Sequence, residues 1–272
     1  MAVVANSRVY IPAPTSTLPR YGLFSVANGP LPIPDQHAEG GGLEWQTGLC
    51  ALPYGYLIDC LDYTPVTKTF SAGPVTSTAD PFVLIASLTC GSLGMDDEML
   101  GRVLGERLDA GAQAAIENVF SSQLVGQAPG LANSAGVATL TGQTTLPAAI
   151  GTLEAWLYAR YGPAGVLHIP ARYAYELQSN GGLRFDGRVW RTPLGTLVSF
   201  GNYSGLAPGG GAPAGDTTFY ITGQVTIWQS PNTFITPYRE ALNRSTNQIN
   251  AFAERVYLMG YDCFVAGVDV NV

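Results

Sequence analysis

MDDEMLGRVLGERLDAGAQAAIENVFSSQ, residues 95–123, is the stretch on which the fold turns. Met99, Leu100, Val103, Leu104, Leu108, Ala112, Ala115, Ile116, Val119 and Phe120 return at three- and four-residue steps, the pattern of one helical face. Asp96, Asp97 and Glu98 crowd its start, where carboxylates meet the positive end of the helix dipole. At 1.5 Å per residue such a helix runs roughly 40 Å, well beyond the common length of about 11–12 residues. On either side the sequence predicts strands, turns and Pro-rich chain, with no second helix of matching length. A lone stripe of this kind must be buried against a sheet.

Working upstream, Pro12, Pro14, Pro19, Pro30, Pro32 and Pro34, with Gly22, Gly29 and Gly40–Gly42, mark residues 1–42. Neither strand nor helix period survives there, which predicts an extended arm without a core of its own. From Leu43 to Thr89 the reading is β, with strands at Tyr56–Asp62, Val66–Phe70 and Pro81–Leu88 in a hairpin-like excursion that returns into the helix. Downstream, a small-residue link (Gly126–Gly142) precedes a helix with Thr144 or Thr145 as cap, Pro147 in its first turn and Gly162-Pro163 as stop. A strand at Gly165–Ile169, a helix from Pro170 to Leu177, and strands at Arg188–Arg191 and Thr196–Phe200 complete a compact α/β module. Gly201–Gly215 reads as a loop. Thr218–Gln229 and Val256–Val270 read as two long strands around a polar excursion, Asn243–Gln248. The order predicts an α+β chain in which the long helix and last strands rejoin after the module.

Composition narrows the function. Charged residues make up only 12% of the 272, about half the usual share, while the apolar share of 46% is ordinary. No run reaches the 18 apolar residues of a membrane span, and no secretory leader opens the chain. A surface this poor in charge is one covered by protein. Lys68 is the only lysine among 13 cationic residues, and arginine over lysine is the bias of interfaces. A net charge of −7 argues against sequence-reading nucleic-acid binding but suits the wall of a container.

Catalytic patterns are wanting: there is no H-E-x-x-H, G-x-S-x-G or phosphate loop, and no cofactor motif. His37 lies in the arm and His168 in the apolar 166–169 strand, where a satisfied core histidine is the expectation. Asp96–Glu98 diverge around the helix axis and read as dipole partners rather than metal ligands. Cys50, Cys60, Cys90 and Cys263 lack C-x-x-C spacing; buried reduced thiols of a cytosolically made chain are expected over a zinc site.

Several segments, taken in order, carry a resemblance. They are Trp45-Gln46-Thr47-Gly48 with Cys50 and Cys60, Pro81-Phe82-Val83 leading through Cys90 to the helix with Glu117, and Thr192-Pro193-Leu194-Gly195-Thr196. Thr222-Gly223-Gln224-Val225, Asn243-Arg244-Ser245-Thr246-Asn247 and Ala253-Glu254-Arg255 follow. Together they resemble the major capsid proteins of tailed bacteriophages, the Hong Kong 97 phage fold shared with encapsulins, and look most similar to those of actinobacterial phages. The likeness spans nearly the whole chain and rests on order and spacing. It implies an α+β capsid fold: an N-arm at 1–42, an extended loop at 43–88, a peripheral domain at 89–140 with the spine helix, an axial domain at 141–222, and closing peripheral strands at 223–272.

The resemblance also implies a function. The chain would assemble as pentamers and hexamers into an icosahedral shell around phage double-stranded DNA, in the host cytoplasm, without catalysis or cofactor. Scaffolding, portal and cementing proteins would be its other partners. Some relatives carry a scaffolding segment ahead of the arm; none precedes it here, so a separate scaffold or none is expected. An encapsulin-type cargo shell is the alternative, disfavoured by the Pro-rich arm, and a hydrolase-like enzyme using His168 lacks a placed nucleophile. One branch of the family joins a loop lysine to an asparagine of a neighbour, which makes Lys68 with Asn243 or Asn247 a candidate cross-link. An ordinary lysine titrates near 10.4, the reaction needs the free amine, and Lys68 sits between Thr67 and Thr69 with no assignable base. A non-covalent shell is therefore expected.

Overall fold

The stripe becomes a single 25-residue helix, Asp97–Ser121, in the computed structural model, which describes residues 21–55, 67–68, 73–92, 95–122, 130–132 and 136–271. Asp96 caps it by accepting the Met99 N–H at 2.8 Å, and Asp97 accepts the Tyr238 N–H at 2.8 Å, so the acidic start both caps the helix and ties it to distant chain. Leu100, Leu104, Leu108, Ala112, Ile116 and Phe120 are buried at every fourth position. At 3.6 residues per turn a four-residue step overshoots by roughly 40°, so the buried face winds around the helix. Its first part therefore lies on one sheet, and its end reaches the place where two sheets meet.

In chain order, α1 (Leu23–Val26), β1 (Asn28–Pro32) and α2 (Ala38–Gly41) precede a hairpin of β2 (Leu43–Thr47) and β3 (Val75–Ala79). β4 (Pro81–Gly91) then enters the long helix, α3. The middle of the chain is β5 (Ala138–Gln143), α4 (Leu146–Tyr158), β6 (Val166–Pro170), α5 (Ala174–Ser179), β7 (Arg184–Phe185), β8 (Trp190–Arg191) and β9 (Leu197–Gly201). It closes with β10 (Thr217–Thr222), β11 (Val225–Gln229), β12 (Phe234–Ile235), α6 (Tyr238–Ala241), β13 (Leu242–Asn243), β14 (Gln248–Tyr261) and β15 (Val265–Val270). Among the described residues no helix is long and apolar enough to cross a membrane.

Two sheets carry two cores. In the first, β14 is central: β4 runs antiparallel along one edge, and β11, β12 and β13 share the other, with β1 parallel outside β11. Phe82, Leu84, Ala86, Ala251, Ala253 and Tyr257 turn inward against the α3 stripe. The second sheet runs β5-β15-β10-β6-β9-β8-β7. There α4 lays Leu146, Ala149, Ile150, Leu153 and Leu157 on Leu167, Ile169, Phe219, Ile221 and Val268. Thr145 caps α4 and Pro147 lies in its first turn, as the sequence predicts.

Three expectations are corrected. Thr218–Gln229 and Val256–Val270 are not single strands; each breaks and crosses from one sheet to the other, at Gly223-Gln224 and at Asp262–Phe264. The crossings lie back to back, with Gly223 donating its N–H to Phe264 O at 3.2 Å and Asp262 donating to Gln224 O at 3.0 Å. A Cβ on Gly223 would come within 2.2 Å of Asp262 O, so this close approach requires glycine. Next, the chain is no coreless arm through residue 42: Leu23, Val26, Ile33 and Ala38 are buried, and β1 is paired. Finally, Cys50 and Cys263 are joined by a disulfide rather than held as separate thiols, while Cys90 is free and half-buried on β4. Tyr56–Asp62, most of Val66–Phe70 and Cys60 lie outside the described residues.

Candidate functional site

Two joints root the arm and the excursion on the body. At the first, α3 presents Glu117, only 2% exposed, to two backbone amides. Its Oε1 accepts the Leu23 N–H at 2.8 Å and its Oε2 the Asn202 N–H at 2.7 Å. Glycine on both sides makes room: a Cβ at Gly22 would lie 2.1 Å from Oε1, and one at Gly201 2.6 Å from the carboxyl carbon. A carboxylate this deep is costly unless hydrogen-bonded, and charge-assisted bonds of this length are strong. Beside it, Ser204 donates its N–H to Ser121 Oγ at 2.8 Å and its hydroxyl to Ser121 O at 2.9 Å. One carboxylate thus holds the arm root, the long helix and the end of β9 together. The sequence names Glu117 without assigning it this task.

The second joint is the double crossing. Asp262 Oδ1 accepts the indole N–H of Trp45 at 2.9 Å, and Oδ2 lies 3.5 Å from the Tyr161 hydroxyl, which itself accepts the Gln224 N–H at 3.3 Å. Burial pushes the Tyr161 hydroxyl above its ordinary pKa, so it stays a neutral donor. The Trp45 ring lies against Gly260, where a Cβ would be 2.3 Å from the ring, and 5.5 Å from the Trp228 centroid. Three residues past β2, Cys50 is bonded to Cys263. The excursion therefore leaves the body from an anchored root.

His168 sits in the core between these joints. Its Nδ1 is 3.2 Å from the Tyr203 hydroxyl, its Nε2 is 2.9 Å from Thr222 Oγ1, and Phe120 meets it edge-on. Burial pushes its pKa from 6.5 down to about 3. The unfolded chain binds this proton below about pH 6.5 and the folded chain only near 3. Stability should thus fall with acidification by up to about 1.4 kcal/mol per pH unit across that window. Urea unfolding at a series of pH values checks this; His168→Gln should flatten the slope.

Lys68 is exposed in the excursion. Asn243 and Asn247 are exposed in the turn between β13 and β14; Asn243 Oδ1 accepts from the Ser245 N–H and hydroxyl, and Asn247 takes a positive φ of 53°. Asn243 stands at the Gly91 end of β4, whereas the excursion enters β4 at Pro81. At about 3.3 Å per residue the 11-residue strand separates those ends by roughly 33 Å. Asn243 and Asn247 share one turn.

Exposed apolar side chains stand on both bodies. Val83 and Ile85 of β4, Phe252 of β14 and Phe234 of β12 form an apolar patch on the first sheet, on the face away from α3. On the α4–α5 module Tyr158, Tyr175 and Leu194 stand out, each about four-fifths exposed (78%, 83% and 78%). A contiguous apolar patch such as the one on the first sheet marks a contact surface.

The whole arrangement, a long helix on a β14-centred sheet joined to an α/β module with rooted arm and loop, is the α+β fold of phage-type capsid chains. It is similar to the capsid chain of the empty GTA particle, with a TM-score of 0.59 and 11% identity over 98% of this chain and 95% of that one. A chain of Mycobacterium phage Adephagia gives 0.52 at 12% identity, covering 98% and 95%. A chain of Microbacterium phage Oxtober96 gives 0.52 at 10%, covering 97% and 96%. No family model and no curated protein matches the sequence.

Proposed function

We propose that this chain is the major subunit of a phage-type protein shell. The observation that carries the reading is end-to-end likeness: the match to a GTA capsid chain covers 98% of this chain and 95% of that one. The low charge and the exposed apolar faces on both bodies support it. Copies would assemble as pentamers and hexamers into an icosahedral shell enclosing double-stranded DNA in the virion, built in the host cytoplasm with portal, scaffolding and cementing proteins as partners. The chain would act by packing, not by catalysis. An encapsulin-type cargo shell is the second reading; the similar solved chains named above come from GTA and phage particles, which favours the first.

Sedimentation of the expressed chain tests this. Particles of megadalton mass are expected, and a chain that stays at 28.7 kDa with and without co-expressed phage scaffold would overturn the reading. The same particles test the linkage. Boiled in detergent with reductant they should run as one monomer band, because Lys68 is exposed and carries no assigned base. A ladder of higher bands abolished by Lys68→Arg would instead show a covalent bond to Asn243 or Asn247 of a neighbour.

A further inference from the structure

We propose that Cys50–Cys263 is a redox latch, closed after the chain has folded, that clamps the root of the 48–74 excursion to the crossing between the two sheets. Its consequence for a shell rests on the reading above; the latch itself does not. Four observations converge on it. The non-covalent contacts of the root are complete without the sulfur bond: Trp45 donates to Asp262, packs on Gly260 and Trp228, and sets β2 beside the crossing. Folding alone therefore brings residue 50 to residue 263, across 213 positions of sequence.

The second observation is backbone conformation. Cys263 has a φ of +58° and is the central residue of a tight turn in which Phe264 N–H donates to Asp262 O at 2.7 Å. That left-handed conformation is disfavoured for a side chain with a Cβ and open to glycine without steric cost. A turn that only had to turn would use glycine, so the cysteine is there for its sulfur. Third, both cysteines are half-buried rather than sealed in the core, which leaves them open to small thiols and disulfides. Fourth, the bond ties the excursion to the crossing three residues beyond Thr47, the end of β2. A neighbour pulling on that end of the excursion would have to break it before peeling β2 from the crossing.

The oxidant is a small-molecule disulfide such as oxidised glutathione. One cysteine thiolate attacks it, forming a mixed disulfide and releasing one glutathione thiolate; the second cysteine thiolate attacks the protein sulfur and releases the other. The chain loses two protons and two electrons, and one glutathione disulfide becomes two glutathiones. Reduced glutathione in a cytosol drives the same steps backward, so the latch is open where the chain is made and closed once it is outside.

The single lysine provides a clean test. The full-length chain is reduced, treated with oxidised glutathione, blocked with N-ethylmaleimide, denatured, and cut with a lysine-specific protease. One cut at Lys68 separates Cys50 from Cys263. The oxidised chain should migrate as one species without reductant and as two, residues 1–68 and 69–272, with it. Cys50→Ser and Cys263→Ser should give two species either way, whereas Cys90→Ser should behave as wild type. Separate fragments from the oxidised wild type, or linked fragments from Cys263→Ser, would overturn the assignment. For the mechanical role, reductant should lower the melting midpoint of the native chain by several degrees and leave Cys50→Ser unchanged; an equal drop in both would refute it. Neither readout needs shells, so failure of the shell reading and failure of the latch are told apart.

Discussion

Glu117→Ala should be the most damaging single substitution in the chain. It removes two charge-assisted hydrogen bonds, leaves the Leu23 and Asn202 amides without their acceptor, and opens space between Gly22 and Gly201. At about 1.5–3 kcal/mol for each bond to a charged group, the loss is on the order of 3–6 kcal/mol, a large part of a typical domain's stability. Glu117→Gln keeps the shape but turns an amide NH₂ toward one backbone N–H, so it should fall between wild type and alanine. Asn202→Ala removes only the side-chain bond to Ala114 O, of 3.3 Å, and should cost about 1 kcal/mol or less. Urea unfolding of the three variants checks the order. An alanine variant within about half a kcal/mol of wild type would show that the joint does not hold the fold.

The second large effect separates two truncations that the sequence alone would treat as one. Removing residues 1–20 should leave a folded chain that no longer assembles, with wild-type circular dichroism and a capsomer-sized or smaller mass. Removing 1–40 should unfold it. That cut takes out Leu23, Val26 and Ile33, all buried, together with the β1–β11 pairing and the amide that Glu117 holds. At about 1.5–3 kcal/mol per large buried side chain, the apolar loss alone is roughly 5–9 kcal/mol, comparable to the whole stability of a domain. Normal shells from the 1–20 truncation would refute the role given to the arm, and native-like dichroism from the 1–40 truncation would refute the place given to residues 23–40.

The difference between those truncations shows what was legible in the sequence. The long helix was, because 25 residues of one period outweigh any local ambiguity. So were α4, with its cap and stop, and the buried setting of His168. The arm root was not. α1 and β1 are four and five residues long and owe their order to Glu117 and β11, some 94 and 200 positions away, which no local pattern reports. The crossings at Gly223 and Asp262 were missed for a related reason. Apolar residues run through both, and only the contact between them explains why one position is glycine and the other accepts from Trp45. The disulfide carries no spacing signal at a separation of 213. Glu117 did leave a trace: a carboxylate lying inside the stripe between Ile116 and Val119 must be partnered. Its partners, being backbone amides, have no signature of their own.

The central claim is that the arm and the 48–74 excursion, rooted on this body by Glu117 and by the Asp262 crossing, reach across to other copies. Cryo-electron microscopy of assembled particles, at a resolution that traces side chains, tests it most directly. The account predicts closed shells in which density for residues 1–20 and 48–74 lies on neighbouring subunits while Glu117, Trp45 and Asp262 keep the contacts described above. Both segments folded back on their own subunit, or no closed particle at all, would contradict it.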